Sequence, residues 1–215
     1  MLISFEGIDG CGKSTQEKLL ADWLQLHGQT VHRVREPGGT PLSESVRTIL
    51  LDPTQEIDPF AEMLLFSAAR AQLCRTRIKD WHEAGDVVLC DRFFDSTVAY
   101  QGGGRGVADP EWIRAFQLEV TGGLIPDRTY YFRLDLETAR SRLSGRSDAN
   151  QDRMEASGSI FFERVITAYD KLADANPERI RVLDARKSIP ELAQVIIDDI
   201  SALLGLGRNS KSNEL

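Results

Sequence analysis

No apolar run in this chain approaches the ~20 residues that a helix needs to cross a bilayer. Cysteine is scarce as well. Cys11, Cys74 and Cys90 are odd in number and lack metal-ligand spacing, which argues against a disulfide framework or a zinc cluster and favours a reducing, cytoplasmic setting. The opening stretch "MLISFEG" has neither the basic region nor the long apolar core of a secretion signal and reads as a strand. An excess of positive charge is missing too. Lys and Arg total 26 against 33 Asp and Glu, a formal net charge of −7. That balance opposes a chain-wide attraction to nucleic acid or an anionic membrane, while leaving room for a local basic pocket. What remains is ordinary in bulk. With 215 residues, 41% hydrophobic and 27% charged, the chain has the length and composition of one globular domain.

Strand-like and helix-like patterns alternate along it. Residues 2–5 and 30–34 read as strands around a helix over 13–27, which Gly28 would stop. "REPGGT" (35–40) is turn material. A long helix is expected over 59–83, ended by Gly85. "DVVLCD" (86–91) is a continuous apolar run closing on an aspartate, the pattern of a strand buried on both faces. "QGGGRG" (101–106) reads as a loop and 110–121 as a helix. Further strands are expected at 128–134 and 179–185, and a last helix over 189–204. Residues 205–215 carry no apolar period and read as a tail. Such alternation implies a parallel sheet with helices on both faces, an α/β architecture within residues 1–204.

Gly7-x-x-x-x-Gly12-Lys13-Ser14 matches the phosphate-binding P-loop and lies between an expected strand and an expected helix, as that motif requires. From average residue usage, chance would produce it in roughly one chain in a hundred of this length. Glycines let successive N–H groups approach phosphate oxygens, and the helix N-terminus adds a favourable dipole. The loop, comprising Gly7, Ile8, Asp9, Gly10, Cys11, Gly12, Lys13, Ser14 and Thr15, is therefore expected to hold ATP. Lys13 would neutralise the transferring phosphoryl group, and Ser14 would bind Mg²⁺. Asp91, ending the buried apolar run, is placed to reach the same metal shell, though a strand-end aspartate is also an ordinary structural residue. Asp9 is the anomaly. A carboxylate inside an anion cradle is repelled by a triphosphate unless the loop serves a second ligand.

Three classes of P-loop protein compete. A GTP switch should carry Asn-Lys-x-Asp and an Asp-x-x-Gly after its metal strand; this chain has "DRFFDS" there instead. A nucleic-acid motor calls for more length and a basic track. A small-molecule kinase must hold a second anionic substrate and exclude water, and arginine forks suit that task. Arg92 directly follows Asp91. Arg140, Arg142, Arg146 and Arg153 bracket "SGRSDANQD", a polar stretch that reads either as a lid, over about 142–155, or as a solvated basic helix end. In "LLFSAARAQL", Phe66 and Arg70 stand at i and i+4 and share a helix face, so a ring and a guanidinium could meet a base. Phe66 taken alone reads more readily as core packing.

With these stretches in place, the chain resembles the thymidylate kinase family. The resemblance rests on "FEGIDGCGKST", "REPGGT", "LLFSAAR", "VVLCDRFFDSTVAYQGGGRG" and "DRMEASGSIFFERV", in the family's order over roughly residues 2–165. It implies a five-stranded parallel sheet with surrounding helices and a mobile lid, a homodimer, and transfer from ATP to dTMP with Mg²⁺. It further implies that Phe66 stacks on thymine, Arg70 bonds its edge, and Thr97 and Gln101 line the base pocket. Tyr100 would crowd the sugar's 2′ position. Arg92 would hold the acceptor phosphate with help from Arg47, while Glu36 shapes the site and Asp9 faces the sugar's 3′-hydroxyl. Members place a catalytic arginine in the loop or in the lid. Gly10 occupies the loop position here, so the duty is expected of Arg153 with Arg146. Two departures stand out. Phe93 replaces the usual Tyr, and Cys11 replaces the usual Ala or Ser, which leaves the loop geometry intact and could make the site thiol-sensitive. Arg186, after the fifth strand, is the expected adenine contact.

Overall fold

The computed structural model describes residues 1–144, 153–154 and 157–206. Five strands form one sheet: β1 (Leu2–Glu6), β2 (Val31–Arg35), β3 (Val87–Asp91), β4 (Arg128–Arg133) and β5 (Ile180–Asp184). Their order is β2-β3-β1-β4-β5, and every pairing is parallel. The interior position of β3 explains its continuous apolar run, because both of its faces are covered; β1, at the centre, is buried throughout although it carries Ser4 and Glu6. Alternate residues of β3 supply the two sides. Val87 and Leu89 join Phe5, Leu20, Tyr130 and Ile196 in one core, while Val88 and Cys90 join Leu2, Leu73 and Phe93 in the other. Strand β2 lies at an edge and is only partly covered, which accounts for its imperfect alternation.

Helix ends follow local chemistry. After β1, Gly12 takes the left-handed conformation (φ 96) and α1 (Lys13–Leu26) begins. Helix α2 (Pro41–Leu51) is capped by the Thr40 hydroxyl and α3 (Pro59–Leu73) by the Asp58 carboxylate, each with proline in the first turn. The expected helix over 59–83 is continuous but not uniform. A π-helical turn (Cys74–Ile78) joins α3 to α4 (Lys79–Glu83). Short α5 (Phe94–Thr97) precedes α6 (Pro110–Thr121), which Asp109 caps. Helices α7 (Leu136–Ser144), α8 (Ser159–Ala175) and α9 (Ile189–Leu204) complete the described set, the last opened by a Ser188–Glu191 capping box. No helix among the described residues is long and apolar enough to cross a membrane.

One expectation is corrected. The first four residues of "QGGGRG" are not loop, because Val98–Gly104 form a π-helical segment continuing α5, and only Arg105 and Gly106 turn out of it. Its glycines serve close packing rather than a turn. A Cβ on Gly103 would lie 2.4 Å from the Cβ of Ala168, and one on Gly104 would lie 2.5 Å from the Phe161 ring. Both neighbours belong to α8, so the missing side chains let the two helices touch. That contact brings Tyr100 and Gln101 to the carboxyl ends of the strands, where open α/β sheets bind their ligands.

Candidate functional site

Phe5 of β1 pairs with Asp91 of β3, so the loop after β1 and the turn after β3 emerge side by side. Gly7, Gly10 and Gly12 all have positive φ (136, 82 and 96), which winds the loop around the start of α1. The Lys13 ammonium folds over it, donating to the carbonyls of Gly7 (3.0 Å) and Ile8 (3.1 Å). Ser14 Oγ donates to Asp91 Oδ2 at 2.7 Å, which brings the two expected metal-shell residues together. Gly10 lies under α7, where a Cβ would meet the Ala139 carbonyl at 2.9 Å and Leu143 Cγ at 3.2 Å. A side chain at this loop position is therefore sterically opposed. Cys11 is buried, and burial, only partly offset by Lys13, pushes its thiol up. Burial thus disfavours a thiolate at this loop position.

Arg92 adopts φ 74, the one non-glycine residue with positive φ among those described. Its Nη1 donates to the Gly7 carbonyl at 3.0 Å and its Nη2 to Asp9 Oδ1 at 2.7 Å. Its guanidinium also sits 5.0 Å from the centroid of the Tyr100 ring. Burial disfavours the Asp9 carboxylate, but Arg92 and then Lys13 outweigh it and hold the group down at about 2. Asp9 is therefore ionised across the physiological range, and Arg92 stays charged beside it.

Two clefts meet at this pair. The first, lined by Gly10, Gly12, Lys13, Ser14, Thr15 and Asp91, is the phosphate cradle. The second encloses about 760 Å³, open to solvent, between α2, α3 and the π-helical segment after α5. Asp9, Glu36, Arg47, Phe66, Arg70, Arg92, Thr97, Tyr100 and Gln101 all line it, so every expected acceptor-side residue reaches one cavity. Asp9, Glu36, Arg47 and Arg92 line both. Phe66 is half-buried, with part of its ring packed on the core and part facing the cleft.

Arg70 forms the floor of the second cleft. Its Nε donates to Glu36 (2.7 Å), Nη1 to Thr97 (2.8 Å) and Gln117 (2.6 Å), and Nη2 to the Phe93 carbonyl (3.1 Å), with Glu36 also 2.6 Å from Nη2. Four hydrogen bonds and this ion pair thus hold the guanidinium, and a contact with a base edge competes with them. Burial, partly offset by Arg70, pushes the Glu36 carboxyl up to about 6, and its Oε1 has no hydrogen-bond partner.

The arginines expected to carry catalysis separate. Arg146 lies outside the described residues. Arg153 lines neither cleft. Its Nη1 is 2.7 Å from Glu62, its Nε donates to the Leu50 carbonyl (2.8 Å), and its backbone N–H donates to that of Leu51 (3.2 Å). Glu62, fully buried on α3, also accepts from Gln101 (2.9 Å) and Arg105 (3.2 Å). Arg153 therefore anchors one end of the expected lid to α2 and α3, and its neighbour Met154 lines the acceptor cleft. Arg186 is exposed, tied to Asp184 by two bonds of 2.9 Å, and lines neither cleft. Arg142 reaches the loop side instead, donating to the carbonyls of Gly10 (3.4 Å) and Ala185 (2.9 Å).

Several lining residues were not picked out from the sequence: Arg35, Pro37, Leu51, Ser96 and Met154. Arg35 and Pro37 lie within "REPGGT", where turn composition masked their place at the strand ends.

Comparison with known proteins converges on one family. The thymidylate kinase family model matches residues 5–196. A thymidylate kinase of Chlorobium chlorochromatii is 44% identical over 215 residues, spanning 96% of this chain and 96% of the relative. One of Chlorobaculum tepidum is 45% identical over 210 residues, spanning 94% and 98%. Among solved structures, the thymidylate kinase of Ehrlichia chaffeensis matches with a TM-score of 0.75 at 34% identity, covering 94% of this chain and 98% of that one.

Proposed function

Since this chain belongs to the thymidylate kinase family, we propose that it transfers the γ-phosphoryl group of ATP to the phosphate of dTMP, giving ADP and dTDP. ATP lies in the cradle of Gly7–Thr15, and dTMP in the cleft between α2, α3 and the π-helical segment. The observation that carries this division is the meeting of the two clefts at Asp9 and Arg92, shared by both. Arg92 holds the acceptor phosphate there, while Asp9 fixes Arg92 and faces the sugar. This answers the anomaly of a carboxylate in an anion cradle, whose backbone amides serve the donor while its side chain serves the acceptor.

The transfer is in-line and rests on positioning and charge, with no covalent enzyme intermediate. The acceptor is already anionic, so no strong base is required. Lys13 and Arg92 neutralise charge spread over the equatorial oxygens. The lid contribution falls to Arg146, because Arg153 is committed to Glu62. Phe66 stacks on the thymine ring, above the Arg70 floor, with Thr97 and Gln101 along the base and Tyr100 against the sugar.

The hydroxyl of Ser14 and the carboxylate of Asp91 fit Mg²⁺, a hard cation that keeps several waters and takes few protein ligands beside nucleotide phosphates. Bound there, it neutralises phosphate charge during transfer.

A homodimer joined through α3 and α6 is supported by three large side chains exposed on those helices, Phe60 (46%), Leu64 (43%) and Trp112 (47%). The three buried free thiols suit a reducing cytoplasm.

A panel of nucleosides and nucleoside monophosphates, assayed with ATP and Mg²⁺, tests the assignment. dTMP is expected to give the highest kcat/KM. Preference for another monophosphate or for a nucleoside would reject it, and ATP binding without any phosphorylation would mark a non-catalytic binding protein.

A further inference from the structure

Arg92 works from an unfavourable backbone conformation, and the residue that holds it there lies outside both clefts. A left-handed φ at an arginine is disfavoured by contact between Cβ and the carbonyl oxygen. The Arg92 N–H still pairs with the Phe5 carbonyl (3.0 Å), as the last rung between β1 and β3. At the next residue the kink turns the chain away from the sheet, so the Phe93 N–H loses any strand partner. It is caught instead by Glu6 Oε1 at 2.7 Å.

Glu6 is the last residue of β1 and directly precedes the loop. It is fully buried and accepts from four donors on four parts of the fold. Ser4 Oγ (2.8 Å) and Phe93 N (2.7 Å) meet Oε1; Ser96 Oγ (2.6 Å) and Tyr169 Oη (2.8 Å) meet Oε2. Three of these donors are hydroxyls, which can rotate toward other acceptors. The Phe93 amide cannot, and if left unpaired in the core it would favour reversal of the Arg92 turn.

We propose that Glu6 is a positioning residue for phosphoryl transfer. By capturing the Phe93 N–H it fixes the left-handed turn that aims the Arg92 guanidinium at Gly7, Asp9 and the acceptor cleft. The inference rests on the assignment of Arg92 to the dTMP phosphate. It requires an acceptor atom at the correct reach rather than a negative charge, and two variants separate these requirements. Glu6→Gln keeps an oxygen for Phe93 and Ser4 and turns its amide toward Ser96 and Tyr169, whose hydroxyls can accept. Glu6→Asp keeps the charge but withdraws the acceptor by one methylene.

Steady-state kinetics with each substrate varied, on both variants beside wild type, give the first readout. Glu6→Asp should raise KM for dTMP by about tenfold or more with ATP affinity changed less than about twofold, whereas Glu6→Gln stays within about threefold for both. The second readout does not depend on turnover. Exchange of the Phe93 amide hydrogen should accelerate by about a hundredfold in Glu6→Asp but not in Glu6→Gln. Equal loss for ATP and dTMP, a larger defect in Gln than in Asp, or an unchanged Phe93 amide in Glu6→Asp would overturn the positioning role. Wild type without activity on dTMP would instead reject the functional assignment, and the amide exchange would still judge the turn.

Discussion

Arg92 Nη2 lies 2.7 Å from Asp9 Oδ1, a contact that ties the turn after β3 to the loop after β1. The pair stands where the phosphate cradle opens into the second cleft. Each partner's place depends on a backbone irregularity. Arg92 is left-handed, and Asp9 sits between Gly7 and Gly10, both of positive φ. With the Asp9 carboxyl held near 2, the pair stays charged at any pH the enzyme meets, so it orients Arg92 without acting as a switch.

Phe66 divides its ring between core and cleft, so its truncation has two measurable parts. Loss of base stacking is worth roughly 1–3 kcal/mol, or about 5- to 150-fold in dTMP affinity. Phe66→Ala should weaken dTMP binding within that range, read by titration calorimetry on folded protein, and lower Tm by a few degrees. Full dTMP affinity in the folded fraction would assign Phe66 to the core alone.

The two lid arginines should fail differently. Arg153→Ala removes an anchor on Glu62 while Arg105 and Gln101 remain there. It should raise KM for dTMP several-fold and reduce turnover by less than about tenfold. Arg146→Ala should reduce kcat by about a hundredfold or more, the scale of losing one transition-state charge contact. Single-turnover rates for both variants decide this, and a reversed ranking would return the catalytic duty to Arg153.

Glu36 gives the acceptor cleft a signature in stability against pH. Its carboxyl is raised from 4.5 to about 6, mainly by burial and against the pull of Arg70. A raised carboxyl pKa means the folded state keeps a proton that the unfolded chain releases. The resulting stabilisation is complete below pH 4.5 and is lost as pH rises to about 6, a change of about 2 kcal/mol. Denaturant melts of wild type and Glu36→Gln between pH 4.5 and 7 should diverge by that amount across this window. Parallel curves would show that Glu36 titrates normally.

Legibility followed the range of the interactions. The P-loop, its flanking strand and α1 could be read because the motif is local and each residue answers to its neighbours. Interior strand β3 was clear because two-sided burial leaves an unbroken apolar run, while edge strand β2, expected at 30–34 and found at Val31–Arg35, showed a weaker alternation. Gly103 and Gly104 looked like a loop, since a glycine that admits α8 and one that permits a turn are the same residue in sequence. The contact of Arg153 with Glu62 was hidden for a similar reason. A lid cation and the partner of a distant buried Glu62 are indistinguishable until the fold joins them. Glu6 gave no signal, because its partners Phe93, Ser96 and Tyr169 come from remote segments. Phe66 and Arg70 gave a local signal at i and i+4, whereas Glu36, Arg47, Thr97, Tyr100 and Gln101 were drawn to the cleft only through the family resemblance, which carries tertiary information that composition and periodicity do not.

The division of one loop between two ligands is tested most directly by Asp9→Asn, with dTMP and ATP titrated separately into the same preparation. The substitution keeps the side-chain shape and removes the charge that holds Arg92. The account predicts that kcat/KM for dTMP falls by about thirtyfold or more while ATP affinity changes by less than about threefold. A larger loss for ATP than for dTMP, or no loss for either, would contradict it.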